Sequence, residues 1–274
     1  MRTRFVVAAA AVVFLLAACG GDQSDDPKGG GESDPMTSIE EGLKQIDSGR
    51  IQVAIRAISP DVRPVSFEMS GTFAAADDPD SLPIADLKYV DRSGVKPSES
   101  SFISDGERAW VVNERGTKEL EGDQLDGLKG GSDVPGLRTL EPTTWFEGAP
   151  KAAPGEKLDG VTTTSYSGIV DVVALIEDVT RMSANLGAYV ADEITDEGAE
   201  RVRNAAQNAS LEVVAGKDDH LLRTVRFGVD IPTDPKDLAV ILRELAANRI
   251  EFELSVSEIN QPVTPPKTPE GAAV

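Results

Sequence analysis

The chain has 274 residues, 40% of them hydrophobic and only 5% aromatic, with one cysteine, one histidine and a net charge of −20. A charge that negative excludes nucleic-acid binding, which needs a basic footprint, and works against adhesion to anionic lipid headgroups. One cysteine allows no internal disulfide and no thiolate metal cluster, so stability must come from a core, which a chain of this length can bury.

The N-terminus opens with Arg2 and Arg4, followed by an unbroken apolar run over residues 5–16. That run falls short of the roughly 20 apolar residues needed to cross a bilayer and has the length of a signal-peptide core. Leu16-Ala17-Ala18-Cys19 follows. Small residues let a peptidase groove close on the backbone, and cysteine is the side chain that can take a thioether-linked diacylglycerol. The segment resembles the lipobox of bacterial lipoproteins. The resemblance implies cleavage between Ala18 and Cys19, with lipid on Cys19 holding the protein to the cell membrane on its extracytoplasmic side. The plainer alternative is a secretory signal that happens to carry a cysteine, yet Cys19 is the only one in the chain. Loss of residues 1–18 removes two arginines and no acid, so −20 becomes −22. Residues 20–35 hold no apolar side chain except prolines and cannot sustain a fold. With Cys19 they read as a flexible lipidated tether, residues 19–35, spanning about 20–25 Å.

Residues 36–259 read as a single domain. Thr37 or Ser38 can cap a short helix whose apolar face is Ile39, Leu43 and Ile46. After Gly49 the period becomes two. Ile51, Val53 and Ile55 alternate with polar or small residues, as do Val65, Phe67, Met69, Gly71 and Phe73. Residues 84–90 form a weaker strand. Residues 102–104 and 109–112 flank Asp105-Gly106, which predicts a type I′ hairpin, and Glu114-Arg115-Gly116 turns the chain back through residues 117–120. Residues 122–131 read as a loose helical turn and residues 143–146 as another, with Trp145 as a core anchor. Residues 161–170 read as a strand with a wet face. Val172, Val173, Leu175, Ile176, Val179, Met182 and Leu186 recur at helical spacing, and a weaker helix follows over residues 193–208. Strands close the domain at residues 211–215, 221–231 and 249–257, with helical spacing at residues 237–247. About eight half-buried strands with a strong helix predict an α+β fold. Its sheet is curved and largely antiparallel, a half-barrel whose concave face the helices cover. Residues 260–274 carry Pro262, Pro265, Pro266 and Pro269 and read as an extended tail laid on the domain surface.

Catalytic chemistry is missing from the pattern. His220 stands beside Asp218 and Asp219 with no Gly-x-Ser-x-Gly or positioned serine, and reads as a solvated turn residue. One histidine and no free thiol cannot build a zinc site. Asp77-Asp78-Pro79-Asp80 lacks the glycine and closing glutamate of a calcium loop and reads as a solvated acidic turn. No phosphate-binding loop occurs. The expectation is a protein that is not an enzyme and takes no cofactor and no metal.

Several segments carry a resemblance. In order they are the short N-terminal helix, the alternating strands, the Ser104-Asp105-Gly106-Glu107 hairpin, Leu140-Glu141-Pro142-Thr143-Thr144-Trp145, and Leu158-Asp159-Gly160-Val161-Thr162-Thr163. Last comes Val256-Ser257-Glu258-Ile259-Asn260-Gln261-Pro262-Val263. Together, over residues 36–266, they resemble actinobacterial lipoproteins of the LppX/LprG type, which are similar in fold to the LolA lipoprotein carrier. The resemblance implies a half-barrel plugged by helices around a cavity for acyl chains, and a role in carrying lipid or glycolipid through the cell envelope. The inward-facing candidates for that cavity are Phe67, Met69, Val225, Phe227, Phe252 and Leu254 on strands, with Ile176, Val179 and Met182 on the covering helix. The same alternation serves a dry core equally well. The alternative is therefore a lipid-anchored structural or protein-interaction module without ligand. Either way the chain is expected to be a monomer.

Overall fold

The computed structural model describes residues 34–59, 62–76, 78–92, 94–131, 135–185, 195–231 and 249–271. The leader, Ala18 and Cys19, most of the tether and the helical spacing at residues 237–247 lie outside them.

Helix α1 spans Pro35–Leu43. It starts ahead of the predicted Thr37 or Ser38 cap, because Pro35 suits a first helical position and the Asp34 carboxylate accepts from the Met36 amide at 3.0 Å. Its predicted apolar face is buried at Ile39, Leu43 and Ile46. Then come β1 (Ser48–Ser59), β2 (Val62–Ala74), β3 (Ile84–Asp91), β4 (Ser98–Asp105), β5 (Ala109–Asn113) and β6 (Gly116–Glu119), a continuous meander. The β4–β5 turn differs from the type I′ expectation. Gly106 alone has positive φ, +99°, and Glu107 does not, which is the type II′ pattern with glycine first. The Asp105 carboxylate accepts from the Glu107 and Arg108 amides and fixes the loop.

Past β6, α2 (Asp123–Asp126) and two 3-10 turns, Leu137–Thr139 and Pro142–Thr144, carry the chain to the opposite edge of the sheet. There β7 (Lys151–Pro154) and β8 (Thr163–Ser167) pair, α3 (Val172–Asn185) and α4 (Asp196–Ala205) follow, and β9 (Gln207–Gly216), β10 (Leu222–Asp230) and β11 (Arg249–Ser257) return to pair β11 with β1. The result is one antiparallel sheet of eleven strands in the order β6-β5-β4-β3-β2-β1-β11-β10-β9-β8-β7. The chain is α+β, as its sequence predicts, with more strands than the eight or so expected.

Laid flat, ten spacings of about 4.8 Å would make a sheet some 48 Å wide. The short helices among the described residues could not cover it; α3, the longest of them, is about 21 Å end to end. The sheet instead curls around a single core that gathers side chains from β3 through β8 with α1, α3, α4 and the 3-10 turns. The outer face is polar, with cross-strand ion pairs such as Lys88–Glu99 at 2.6 Å and Arg226–Glu212 at 2.9 Å. Such exposed pairs contribute little individually.

Candidate functional site on the inner face of the sheet

Strand register sorts the six strand candidates into two adjacent rows across the inner face. One row runs Phe67–Ile55–Phe252–Phe227–Leu211 through β2, β1, β11, β10 and β9. The next runs Tyr89–Met69–Val53–Leu254–Val225–Val213–Tyr166, from β3 to β8. A period of two places every one of these side chains on the same side as its neighbours. Helix α3 covers the rows with Ile176 and Met182, both buried in the same core, and Val179 packs against it half-buried. The structure thus brings the six strand residues and the three helix residues together on one apolar surface.

Cover is uneven along the rows. Val225, Leu254, Val213 and Met182 are 0% exposed, whereas Ile55, Phe67, Tyr89 and Phe102 stay partly open. These four side chains lie on β1, β2, β3 and β4. Among them the Phe67 and Tyr89 rings sit 6.1 Å apart, inclined at 43°. Burial pushes the Tyr89 hydroxyl well above the ordinary phenol range. Sequence reading named Phe67 and Met69 as candidates but not their partners Ile55 on β1 and Tyr89 on β3, nor Phe102, the partner of Leu87, since strand register is a tertiary property.

Helix α3 is latched in place by a polar cluster that sequence reading also missed. The Asp178 carboxylate is almost fully buried. One of its oxygens accepts from the Glu141 amide at 2.6 Å and from the Trp145 indole N–H at 2.7 Å, and Arg181 lies 3.1 Å from the other. Burial raises the Asp178 pKa; the two hydrogen bonds and Arg181 act against that rise without cancelling it. Arg181 also donates to the Thr139 carbonyl at 2.8 Å, so α3 and both 3-10 turns are held as one unit. Trp145 is the core anchor its sequence context suggests, 1% exposed. Asp178 was legible only as a carboxylate three residues from Leu175 and four from Met182, inside an apolar stripe.

Other sequence candidates fall elsewhere. His220 is exposed in the β9–β10 turn with φ +54°, and its backbone carbonyl packs against α1 at Gly42. The Asp78 side chain accepts from the amides of Asp80 and Ser81, closing a local turn. No group of three or more metal-ligating side chains occurs among the described residues. Two hollows are found, the second bordered by Leu211, Phe227 and Phe252 of the first row. One of about 220 Å³ sits against Thr72 and residues 261–264, and one of about 380 Å³ lies on the outer face around Ala54, Arg226 and Gly228.

No protein family and no curated protein matches the chain. Among solved structures it is similar to LprF from Mycobacterium bovis, over 85% of this chain and 94% of that one, at 13% identity and a TM-score of 0.43. It is similar also to MucB in complex with MucA, over 84% of this chain and 57% of that one, at 10% identity and a TM-score of 0.29. A LolA superfamily protein from Nitrosomonas europaea matches over 86% of this chain and 93% of that one, at 8% identity and a TM-score of 0.23. The architecture itself stands on the strand register given above.

Proposed function

We propose that this chain is an envelope lipoprotein that holds the acyl chains of a lipid against the inner face of its sheet. Processing before Cys19 and acylation of that residue attach it to the membrane. It acts as a carrier and not as an enzyme, consistent with a pattern of residues that offers no catalytic constellation. The observation that carries the reading is a group of large apolar side chains on β1 to β4, Ile55, Phe67, Tyr89 and Phe102, which face inward and pack against the core yet stay only partly buried. An apolar surface left open inside a curled sheet costs solvation free energy, and a hydrocarbon chain removes that cost by about 0.8 kcal/mol per buried CH₂. Met69, Phe227, Phe252 and Leu254 continue the same surface inward. In the membrane-attached form the tether supplies reach; no helix among the described residues is long and apolar enough to cross a membrane.

A second reading is favoured by the near-zero exposure of Val225, Leu254 and Met182 and by the hollow on the outer face. In it the core is dry and the protein is a lipid-anchored interaction module. Native mass spectrometry separates the two, using a soluble form from residue 34 onward made in a bacterial host. The lipid reading expects an added mass in the lipid range that survives gentle purification. A bare polypeptide mass, with thermal stability unchanged by added envelope lipids, leaves the dry core standing.

A further inference from the structure

Beyond Asn260 the C-terminal tail leaves β11 and crosses the outer face of the sheet. The Gln261 carbonyl accepts from Ser48 at the start of β1, the Thr268 hydroxyl from Arg108 just ahead of β5, and the Glu270 carbonyl from Thr117 on β6. β1 and β6 stand five spacings apart, about 24 Å. The nine residue steps from Gln261 to Glu270 span about 28 Å as polyproline II and only about 13 Å as a helix. The crossing therefore requires an extended chain. Exposure along it repeats every three residues, the polyproline II period: Val263, Pro266 and Pro269 are half-buried and the residues between them exposed. Pro266-Lys267-Thr268-Pro269 thus lies on the sheet as a Pro-x-x-Pro ligand lies on an aromatic-lined groove.

The outer row that the tail meets runs Arg50–Thr72–Asp86–Ile103–Trp110–Glu119, from β1 to β6. Its aromatic member, Trp110, is fully buried, with the Arg108 guanidinium 5.0 Å over the ring. The tail leaves this surface incomplete in two respects. The Trp110 indole N–H is buried with no hydrogen-bond partner, and a hollow of about 220 Å³ stays open between Thr72 and residues 262–264. A buried indole N–H ordinarily has an acceptor, and leaving it unmet is disfavoured. An extended proline-rich chain has carbonyls to give, since it uses none internally.

We propose that this surface is a recognition site for a proline-rich, extended segment of a partner protein, with the tail as its tethered competitor. The partner's backbone supplies the carbonyl that the Trp110 indole N–H lacks, and its prolines take the places of Pro266 and Pro269. Asp86 and Glu119 in the row, and Lys267 as the one cation of the tail, point to a ligand with a basic residue among its prolines. A chain of net charge −20 also attracts such a segment. The site lies on the face of the sheet opposite the apolar rows, so it stands apart from the lipid reading and does not depend on it.

The test follows the Trp110 indole proton by NMR in the full chain, its signal told from that of Trp145 with Trp110→Phe. The probe is a synthetic proline-rich peptide carrying one lysine, and the control peptide has alanine in place of every proline. Two full-chain variants loosen the strap: Pro266→Ala with Pro269→Ala, and Thr268→Ala, which removes a single anchoring bond. In both, the proline peptide should move the Trp110 signal downfield, as a donated hydrogen bond does, and leave Trp145 in place. The wild type should need about ten-fold more peptide than the double variant, because a tethered tail competes at an effective concentration in the mM range. Thr268→Ala should fall between them. The alanine peptide, which lacks the preorganised form, should bind at least about five-fold more weakly. A Trp110 signal that the proline peptide leaves unmoved in all three proteins overturns the site. Equal binding of the two peptides overturns the ligand class, and equal binding by wild type and both variants overturns the tail's role as competitor.

Discussion

Asp178 illustrates how one buried carboxylate fastens a helix to its neighbours. Both N–H donors, from Glu141 and Trp145, converge on a single oxygen, so an asparagine that presents its carbonyl there keeps both bonds. Alanine leaves two buried donors unmet. Asp178→Ala should therefore cost about 2–4 kcal/mol in urea unfolding, and Asp178→Asn distinctly less. The pH dependence has a definite sign. Burial raises the folded-state pKa of Asp178 above its ordinary 3.8, so in that window the folded state binds more protons than the unfolded one. Its contribution to stability is full below 3.8 and declines as pH rises through the raised value. The stability of the wild type relative to Asp178→Asn should thus fall as pH climbs from about 3 upward, then level off. A difference that grows with pH would mean that the hydrogen bonds and Arg181 outweigh burial. Sequence alone identified Trp145 as a core anchor, since a tryptophan after a helical turn needs cover. Its partner was not legible: a carboxylate reads as solvent-facing until the fold places a donor over it.

Phe227 on β10 and Phe252 on β11 are direct cross-strand partners in the middle of the inner rows, 5% and 3% exposed. Truncating either to alanine should cost about 3–5 kcal/mol. Because the two rings share one site, the double variant should cost less than the sum, a coupling of about 0.5–3 kcal/mol measurable in a double-mutant cycle. Strict additivity would mean that the rings do not touch. These strands were readable because β10 and β11 alternate without a break over at least eight residues, and a single wet face leaves only one way to orient them. The same held for β1 and β2. β7 was missed for the opposite reason. Lys151-Ala152-Ala153-Pro154 carries no alternation, every one of its residues is exposed, and only pairing with β8 makes it a strand. Its lysine and proline suit an edge that must not recruit a further strand. The candidate rows were half legible: period two gave the facing of Phe67, Met69, Val225, Phe227, Phe252 and Leu254. Which of them stand side by side depends on the β1–β11 pairing, which joins residues some 200 positions apart.

At the scale of the whole molecule, each end of the chain carries its own prediction. At the N-terminal end the expectation is chemical: Cys19→Ser removes the thiol that takes the lipid, so the variant should stay unprocessed or be shed into the medium. A processed Cys19→Ser protein retained on membranes as well as wild type contradicts the lipoprotein reading. At the C-terminal end the tail acts as a strap. Asn260 accepts from the Asp47 amide and donates to the Gln45 carbonyl, and Ser48 donates to the Gln261 carbonyl, which fixes the tail where it leaves β11. Farther along, Arg108 donates to Thr268 at 3.1 Å and Thr117 to the Glu270 carbonyl at 2.9 Å. Between them lies Trp110, on the outer face because its neighbours in β5, Ala109 and Val111, point inward with Ser104 and Phe102. Trp110 is fully buried yet stands outside the main core, and the Arg108 guanidinium sits over its ring at 5.0 Å. Four prolines give the strap an extended form that needs no internal hydrogen bonds. A chain ending at Asn260 should therefore expose Trp110 to water, shifting its fluorescence to longer wavelength and opening it to iodide quenching, while Trp145 stays protected beside Asp178. Stability should fall by about 1.5–3 kcal/mol, the worth of burying one large side chain. Unaltered emission and quenching in the shortened chain would mean that Trp110 is buried by the sheet itself, with the tail merely resting on the surface.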